Sequence, residues 1–344
     1  MGVRILVGDV RAMLETLPDE SVHCVVTSPP YWGLRDYGVD GQLGLEPTPG
    51  EYVAKMVEVF REVRRVLRTD GTLWLNLGDS YANTGAADSS KVGGFTGDRI
   101  RNNRKGIMDS RPRGIPSGLK PKDLVGIPWR LAFALQADGW WLRQDIIWSK
   151  PNPMPESVRD RCTKAHEYIF LLTKSERYWY DAEAISEEAT GGDPGNVTHK
   201  HVAAYENGDD KARTKAGLLS YSFKRRTATE GKPGAPKQHR EDRDDIAYYG
   251  TRNKRSVWTI TTKGFSEAHF ATFPPELPEI CIKAGCPPGG VVLDPFFGAG
   301  TTGLVADRLG RDCIGIELNP AYADMARRRI LGDAPLLATV SCSS

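Results

Sequence analysis

The chain has 344 residues and is 40% hydrophobic, so it can bury one large core or two ordinary ones. The net charge is only +2, so the overall charge does not indicate what kind of partner the protein binds. Its six cysteines are scattered without a C-x-x-C pair, and no apolar run approaches the ~20 residues of a membrane span. We therefore expect a reducing, cytoplasmic environment, with no disulfide framework, no zinc knuckle and no membrane partner.

The first predicted elements alternate between strand and helix. Residues 3–7 and 22–27 are short apolar runs typical of buried strands, and a short helix is predicted between them at 10–17. Residues 51–71 carry apolar side chains at helical spacing as far as Gly71, and the strand "TLWLNLG" follows. This alternation predicts an α/β fold in which helices cover a parallel sheet.

The remaining predicted elements fall into two blocks separated by polar sequence. The first block holds a helix at 124–138 and strands at 142–148 and 167–173. The second holds a strand at 256–260, a helix at 275–284, a strand at 291–294, a helix at 301–309, a strand at 312–316 and a helix at 320–330. Residues 331–344 are expected to form a loose tail.

Two long stretches, 83–122 and 186–255, are rich in polar and basic residues and too poor in apolar ones to bury a core. Their Lys and Arg residues, interleaved in the second stretch with Tyr and Phe, suit phosphate contacts and base stacking. The alternative is that both stretches are solvated loops. We favour nucleic-acid contact, above all for the second stretch.

Residues 27–32, "TSPPYW", end a buried strand with two prolines followed by two aromatic residues. Pro29 and Pro30 supply no N–H, and Pro30 forces Pro29 into an extended conformation. The segment is therefore stiff, and it can hold polar acceptors and an aromatic face in front of a flat ligand. The alternative is a strand-ending turn with a surface Tyr-Trp pair.

Residues 291–303, "VVLDPFFGAGTTG", contain G-x-G-x-x-G between a predicted strand and a predicted helix. The glycines are Gly298, Gly300 and Gly303, and Glu317 ends the next strand. Glycines in this context permit a tight turn and a close ligand, and the acid can bind ribose hydroxyls. The motif therefore indicates a nucleoside-bearing cofactor, with a glycine-rich turn beside a surface Glu as the alternative.

The residues before the glycines narrow the choice of cofactor. Asp294, Pro295 and Phe296 depart from a pyrophosphate-binding turn, because an acid and a bulky ring suit an ammonium and a hydrophobic arm better than phosphates. A cofactor with an adenosine, an ammonium and no phosphate is S-adenosylmethionine. Because the unit begins only at residue 291 of 344, most of the sheet must come from the N-terminal half, and the chain order is permuted.

With these motifs the chain resembles the amino-methylating DNA methyltransferases of the β arrangement, in which the catalytic motif precedes the cofactor motif. "TSPPYW" is similar to the catalytic motif, "DPFFGAGTTG" at 294–303 to the cofactor loop and "IELNP" at 316–320 to the ribose-binding strand end. "LVGDVRAML" at 6–14 resembles the segment whose Asp lies near the adenine, and "HFATFPPEL" at 269–277 resembles a further cofactor-contacting segment.

The resemblance implies a Rossmann-like class I methyltransferase fold with a mostly parallel seven-stranded sheet, permuted motif order and a basic target-recognition insert. It divides the chain into a catalytic half at 1–185, including the basic loop at 83–122, a target-recognition insert at 186–255, a cofactor-binding part at 256–330 and a tail at 331–344. It assigns catalysis to Ser28, Pro29, Pro30 and Tyr31. It assigns S-adenosylmethionine binding, without a metal, to Asp9, Phe273, Pro274, Asp294, Pro295, Phe296, Gly298, Gly300, Thr301, Thr302, Glu317 and Asn319.

The implied reaction moves a methyl group to the exocyclic amine of a base flipped out of double-stranded DNA. Ser28 Oγ and the Pro29 carbonyl would accept hydrogen bonds from the amine, and Tyr31 would stack on the base. Family members with Ser at the first motif position mostly act on cytosine N4, and those with Asp mostly act on adenine N6. Ser28 therefore favours cytosine N4, with adenine N6 as the alternative.

The resemblance implies that the protein binds double-stranded DNA. It also implies a cytoplasmic location, for a protein encoded by a bacterium or a phage. It leaves open a homodimer and a cognate restriction endonuclease as further partners. A serine hydrolase is excluded because Ser28 lacks a G-x-S-x-G elbow. An NAD-dependent oxidoreductase and a non-catalytic DNA-binding protein are the distant alternatives.

Overall fold

The computed structural model describes residues 2–33, 38–39, 41–82, 118–188, 251–262, 272–334 and 338–343. Most of the two basic stretches, and part of the segment at 269–277, lie outside the described residues. The chain forms two compact units, Met1–Ile185 with Arg255–Ser344, and Ser186–Lys254. Within the described part of the chain, no helix is both long and apolar enough to cross a membrane.

The larger unit is built on one sheet whose described part has nine strands. These strands are β1 (Val3–Val7), β2 (Val22–Thr27), β3 (Leu67–Leu77), β4 (Trp141–Ser149), β5 (His166–Thr173), β8 (Val257–Thr259), β9 (Val291–Asp294), β10 (Asp312–Glu317) and β11 (Val340–Ser343). Their order across the sheet is β11-β1-β10-β9-β2-β3-β5-β4-β8. Neighbouring strands are parallel except where β5 pairs with β3 and β4.

The helices cover both faces of this sheet. They are α1 (Val10–Glu15), α2 (Pro49–Val66), α3 (Ile127–Ala137), α4 (Glu276–Gly285), α5 (Thr301–Arg308) and α6 (Pro320–Asp333). Buried side chains of α1, α2 and α3 share one hydrophobic cluster with the sheet, and those of α4, α5 and α6 share a second cluster. The unit is therefore a three-layer α/β/α sandwich, and the sequence prediction of an α/β fold with helices covering a sheet is confirmed.

The helix α2 illustrates how local sequence forms these elements. The Thr48 side chain accepts a hydrogen bond from the Glu51 N–H at 3.2 Å, and Pro49 pre-sets the first helical turn. Its buried side chains recur at helical spacing and include Tyr52 and Phe60. The helix ends at Val66, five residues before the predicted Gly71, because Leu67 is already extended and pairs with β2.

The sheet has seven central strands, as the resemblance implies, and two short strands at its edges. One edge strand, β8, adds parallel to β4. The other, β11, adds parallel to β1 and is formed by residues expected to be a loose tail. The Val3 N–H also donates to the Thr339 carbonyl at 2.8 Å, so backbone hydrogen bonds hold this end of the chain on the sheet.

In the smaller unit the described residues form a two-stranded antiparallel pair, β6 (Glu187–Glu188) with β7 (Thr251–Arg252). Arg252 Nε lies 3.0 Å from Glu187 Oε1 across this pair. The pairing joins the two ends of the predicted insert, whose bounds as a target-recognition region stay a prediction.

Candidate active site

The two sequence motifs meet because β2 and β9 are neighbours in the sheet, paired through Cys24 with Val292 and Val25 with Leu293. Both strands run in the same direction, so their carboxyl ends lie side by side. Beyond the last paired residues, the Thr27 hydroxyl donates to Asp294 Oδ1 at 2.7 Å. The proline motif that follows Thr27 and the glycine loop that follows Asp294 therefore open onto one edge of the sheet.

A cleft of about 170 Å³ lies at this edge. Eight of the residues predicted from sequence line it, namely Asp9, Ser28, Pro30, Pro295, Phe296, Gly298, Glu317 and Asn319. Residues that the sequence reasoning missed also line it, among them Leu43, Thr272, Tyr322 and Met325. Tyr322 and Met325 lie on α6 just after "IELNP", so an amphipathic reading of that helix could have found them.

The glycine loop and Glu317 are fixed to each other. Gly298 has φ +51°, and its N–H donates to Glu317 Oε2 at 2.7 Å. The Asn319 N–H donates to Glu317 Oε1 at 2.9 Å. Burial raises the pKa of Glu317 above its ordinary value. The carboxyl group is thus held at the end of β10 with oxygen lone pairs left for a ligand in the cleft.

Asp9 follows β1 and caps α1. Its carboxylate accepts hydrogen bonds from the N–H groups of Arg11 at 3.0 Å and Ala12 at 3.3 Å. Partial burial raises the pKa of Asp9, but the hydrogen bonds and charge of Arg11 outweigh it and the net pKa is lowered. Asp9 is therefore an anionic wall of the cleft.

Asp294 is the main departure from the predicted site. Its side chain is 1% exposed and does not line the cleft. It accepts hydrogen bonds from the hydroxyls of Thr27 and Thr302, both at 2.7 Å, and from the Phe296 N–H at 3.1 Å. Burial raises its pKa to about 6. In this structure Asp294 ties β2, β9 and α5 together and does not face the cleft as expected of an ammonium ligand.

Several other predicted cofactor residues lie beside the cleft without lining it. Gly300, with φ +73°, directly precedes α5, and a Cβ there would lie 2.7 Å from Ala326 Cβ on α6. Thr301 Oγ1 accepts from Arg329 Nη1 at 2.9 Å, and Thr302 bonds Asp294. Phe273 packs against the core and Pro274 is buried, while the preceding Thr272 lines the cleft.

The proline motif places two of its residues in the cleft and buries others. Ser28 and Pro30 line it, whereas Pro29 is buried. The Pro30 carbonyl accepts from the Tyr52 hydroxyl at 2.9 Å, but the Pro29 carbonyl accepts no hydrogen bond from the described residues. The Pro29 carbonyl thus keeps its acceptor capacity.

Tyr31 points its hydroxyl into a polar cluster that the sequence reasoning missed. The hydroxyl accepts from Ser28 Oγ at 3.2 Å and donates to Glu167 Oε2 at 2.8 Å. Asn76 Nδ2 donates to the same Glu167 oxygen at 3.2 Å, and Lys150 forms an ion pair with Oε1. Burial and the Glu167 charge raise the pKa of Tyr31 well above its ordinary value.

The chemistry of the cleft suits a cationic nucleoside without phosphates. Among the described lining residues there are the carboxylates Asp9 and Glu317 but no Lys or Arg. Phosphates are bound by Arg, Lys or exposed helix N-termini, so a dinucleotide fits these walls poorly. Within the described residues, no cluster of His, Cys, Asp and Glu could hold a metal ion.

Comparisons with known proteins agree with this geometry. A model of the N6 and N4 methyltransferases, described as DNA methylase, matches residues 22–328. Type II methyltransferase M.SmaI from Serratia marcescens is 46% identical over 95% of this chain and 90% of its own length. Type II methyltransferase M.Cfr9I from Citrobacter freundii is 45% identical over 96% and 89%.

Two solved structures share the fold. A DNA modification methylase from Thermus thermophilus, solved with S-adenosyl-L-methionine, matches with a TM-score of 0.54 at 24% identity over 99% of both chains. PvuII DNA methyltransferase, described as cytosine-N4-specific, matches with a TM-score of 0.57 at 18% identity over 99% of this chain and 94% of that one. On the family model and the curated relatives together, the chain belongs to the DNA methylase family of N6 and N4 methyltransferases.

Proposed function

We propose that this DNA methyltransferase transfers a methyl group from S-adenosylmethionine to the N4 amine of a cytosine flipped out of double-stranded DNA. The observation that carries the proposal is that Ser28 and the Gly298–Glu317 pair line one cleft. The donor, when bound, supplies a methyl group on a sulfonium. The walls formed by Asp9, Glu317 and Asn319 are suited to its adenosine, and Pro295 and Phe296 to its apolar arm.

The protein's own residues would act mainly by orientation and hydrogen bonding. An exocyclic amine is a weak nucleophile because its lone pair is delocalised into the ring. Ser28 Oγ and the Pro29 carbonyl are two acceptors held by a stiff Pro-Pro unit, and acceptors on both N–H groups favour a tetrahedral nitrogen. Tyr31 lies beside them, where its ring is proposed to stack on the base.

Cytosine N4 is preferred to adenine N6 because Ser28 occupies the first motif position. The cytosine-N4-specific PvuII enzyme supports the assignment as a relative in fold. The Type II designation of the curated relatives supports a place in a restriction-modification system with a cognate endonuclease. The insert at 186–255 is proposed to contact the DNA, and a homodimer is a further part of the proposal.

Duplex DNA incubated with the protein and methyl-labelled S-adenosylmethionine tests the proposal, followed by digestion to nucleosides and mass spectrometry. Label in N4-methylcytosine is the expected result. Label in N6-methyladenine would show that the target base is adenine instead of cytosine, and the proposed reaction class would still hold. DNA without label would contradict the proposed function.

A further inference from the structure

A chain of hydrogen bonds leads from the cleft to a carboxylate outside it. Ser28 lines the cleft, and its hydroxyl donates to Tyr31 Oη at 3.2 Å. Tyr31 donates in turn to Glu167 Oε2 at 2.8 Å, the nearer of two acceptors, since Asn76 Oδ1 lies at 3.3 Å. Glu167 is not among the lining residues. One end of the chain therefore faces the place of the substrate amine, and the other end is an anionic acceptor.

The direction of these bonds determines what Ser28 can do. Because its proton is donated to Tyr31, the lone pairs of Ser28 Oγ are left to accept from an amine. A Tyr31 hydroxyl with a raised pKa stays protonated and can pass a proton on to Glu167 without ionising. Hydrogen bonds in such a chain polarise one another, so the Glu167 charge strengthens Ser28 as an acceptor.

Glu167 is held in place from three sides. Lys150, directly after β4, forms an ion pair with Oε1 and lies 4.2 Å from the centre of the Trp148 ring. Asn76 on β3 donates to Oε2 at 3.2 Å. The Tyr31 hydroxyl is the third contact. Lys164, whose pKa is lowered by burial, is a further cation that interacts with Glu167 through its charge. The carboxylate is thus oriented toward Tyr31 while remaining only partly exposed.

We propose that Tyr31 and Glu167 form a proton relay behind Ser28, with Glu167 as the final acceptor of the proton that the target amine loses. The inference rests on the proposed function. As the nitrogen gains its methyl group, the electron pair of the broken carbon–sulfur bond stays on sulfur, and one N–H proton becomes surplus. That proton moves to Ser28 Oγ, the Ser28 proton to Tyr31 and the Tyr31 proton to Glu167, which later releases it to solvent.

The test measures single-turnover methyl transfer at saturating S-adenosylmethionine in Tyr31→Phe, Glu167→Gln and the double variant. Tyr31→Phe keeps the ring for stacking and removes only the hydroxyl. Each single variant is expected to slow transfer about 10²-fold, the lower range for general acid–base catalysis. Because both act on one route, the double variant is expected to be no slower than the slower single variant.

A solvent deuterium isotope effect separates the relay from a structural role. Single-turnover transfer by the wild type is expected to be slower in D2O than in H2O, and this effect should be absent in Glu167→Gln. Calorimetric binding of S-adenosylmethionine and thermal unfolding check that each variant is folded. Single variants at the wild-type rate, multiplicative losses or an isotope effect unchanged in Glu167→Gln would overturn the relay. A wild-type protein that leaves DNA unlabelled would instead overturn the proposed function.

Discussion

Replacing Asp294 with Asn tests whether this buried carboxyl group is a structural tie between the two halves of the site. Asn keeps an oxygen for one threonine hydroxyl, and the other hydroxyl can rotate to accept from the amide. Burial raises the pKa of Asp294 from its ordinary 3.8 to about 6. The folded state therefore binds the carboxyl proton of Asp294 more tightly than the unfolded state does. This proton binding stabilises the fold fully below pH 3.8, and the stabilisation is lost as pH rises through about 6.

The difference between these two pKa values corresponds to about 3 kcal/mol of unfolding free energy. About 1 kcal/mol of this stability is lost between pH 5 and pH 7. Asn does not titrate, so the stability of Asp294→Asn relative to wild type should rise by about 1 kcal/mol over that interval. Urea unfolding of both proteins at pH 5, 6 and 7 measures the change. A difference that stays constant across these pH values would refute the reasoning.

Three further substitutions test the geometry of the site. Gly300→Ala should destabilise the fold by about 1–3 kcal/mol, because its Cβ would lie 2.7 Å from Ala326 Cβ. The control is Gly332→Ala, at an exposed helical position where a Cβ meets nothing within 4 Å. Equal thermal unfolding temperatures for the two variants would contradict this prediction. Gly78→Ala places a Cβ 2.6 Å from Tyr31 Cε2, which would displace the Tyr31 ring. The rate of methyl transfer should fall at least about tenfold, while the affinity for S-adenosylmethionine is retained. Full activity would count against a fixed position of Tyr31. Glu317→Gln should weaken calorimetric S-adenosylmethionine affinity about tenfold by replacing a charged acceptor, and wild-type affinity would exclude that contact.

Much of the fold follows from local sequence pattern. The predicted order of strands and helices is confirmed, and the strand predicted at 291–294 is observed as Val291–Asp294. The end of α2 was misplaced because Leu67 continues the helical apolar spacing while belonging to the sheet. Residues 340–343 were missed as a strand because a short polar segment becomes an edge strand only where a neighbour, here β1, offers its backbone.

The site residues that belong to a local sequence motif could be predicted. Those that reach the site only through the topology of the sheet could not. Gly298 and Glu317 follow from a local strand-turn-helix pattern, and both line the cleft. Glu167 could not be found this way, because it reaches Tyr31 only if β5 runs antiparallel and brings its first residues to the catalytic edge. The inward orientation of Asp294 depends on hydroxyls from Thr27 and Thr302, which are remote from each other in sequence.

The central claim is that Ser28 acts on the base while a separate set of residues in the same cleft holds the donor. Its most direct test is the single-turnover rate of Ser28→Ala on duplex DNA at saturating S-adenosylmethionine. We expect a loss of at least about 10²-fold, the size typical for removing one well-placed hydrogen-bonding group, with calorimetric affinity for the donor unchanged. A rate near that of the wild type, or a loss explained by weaker donor binding, would contradict the account.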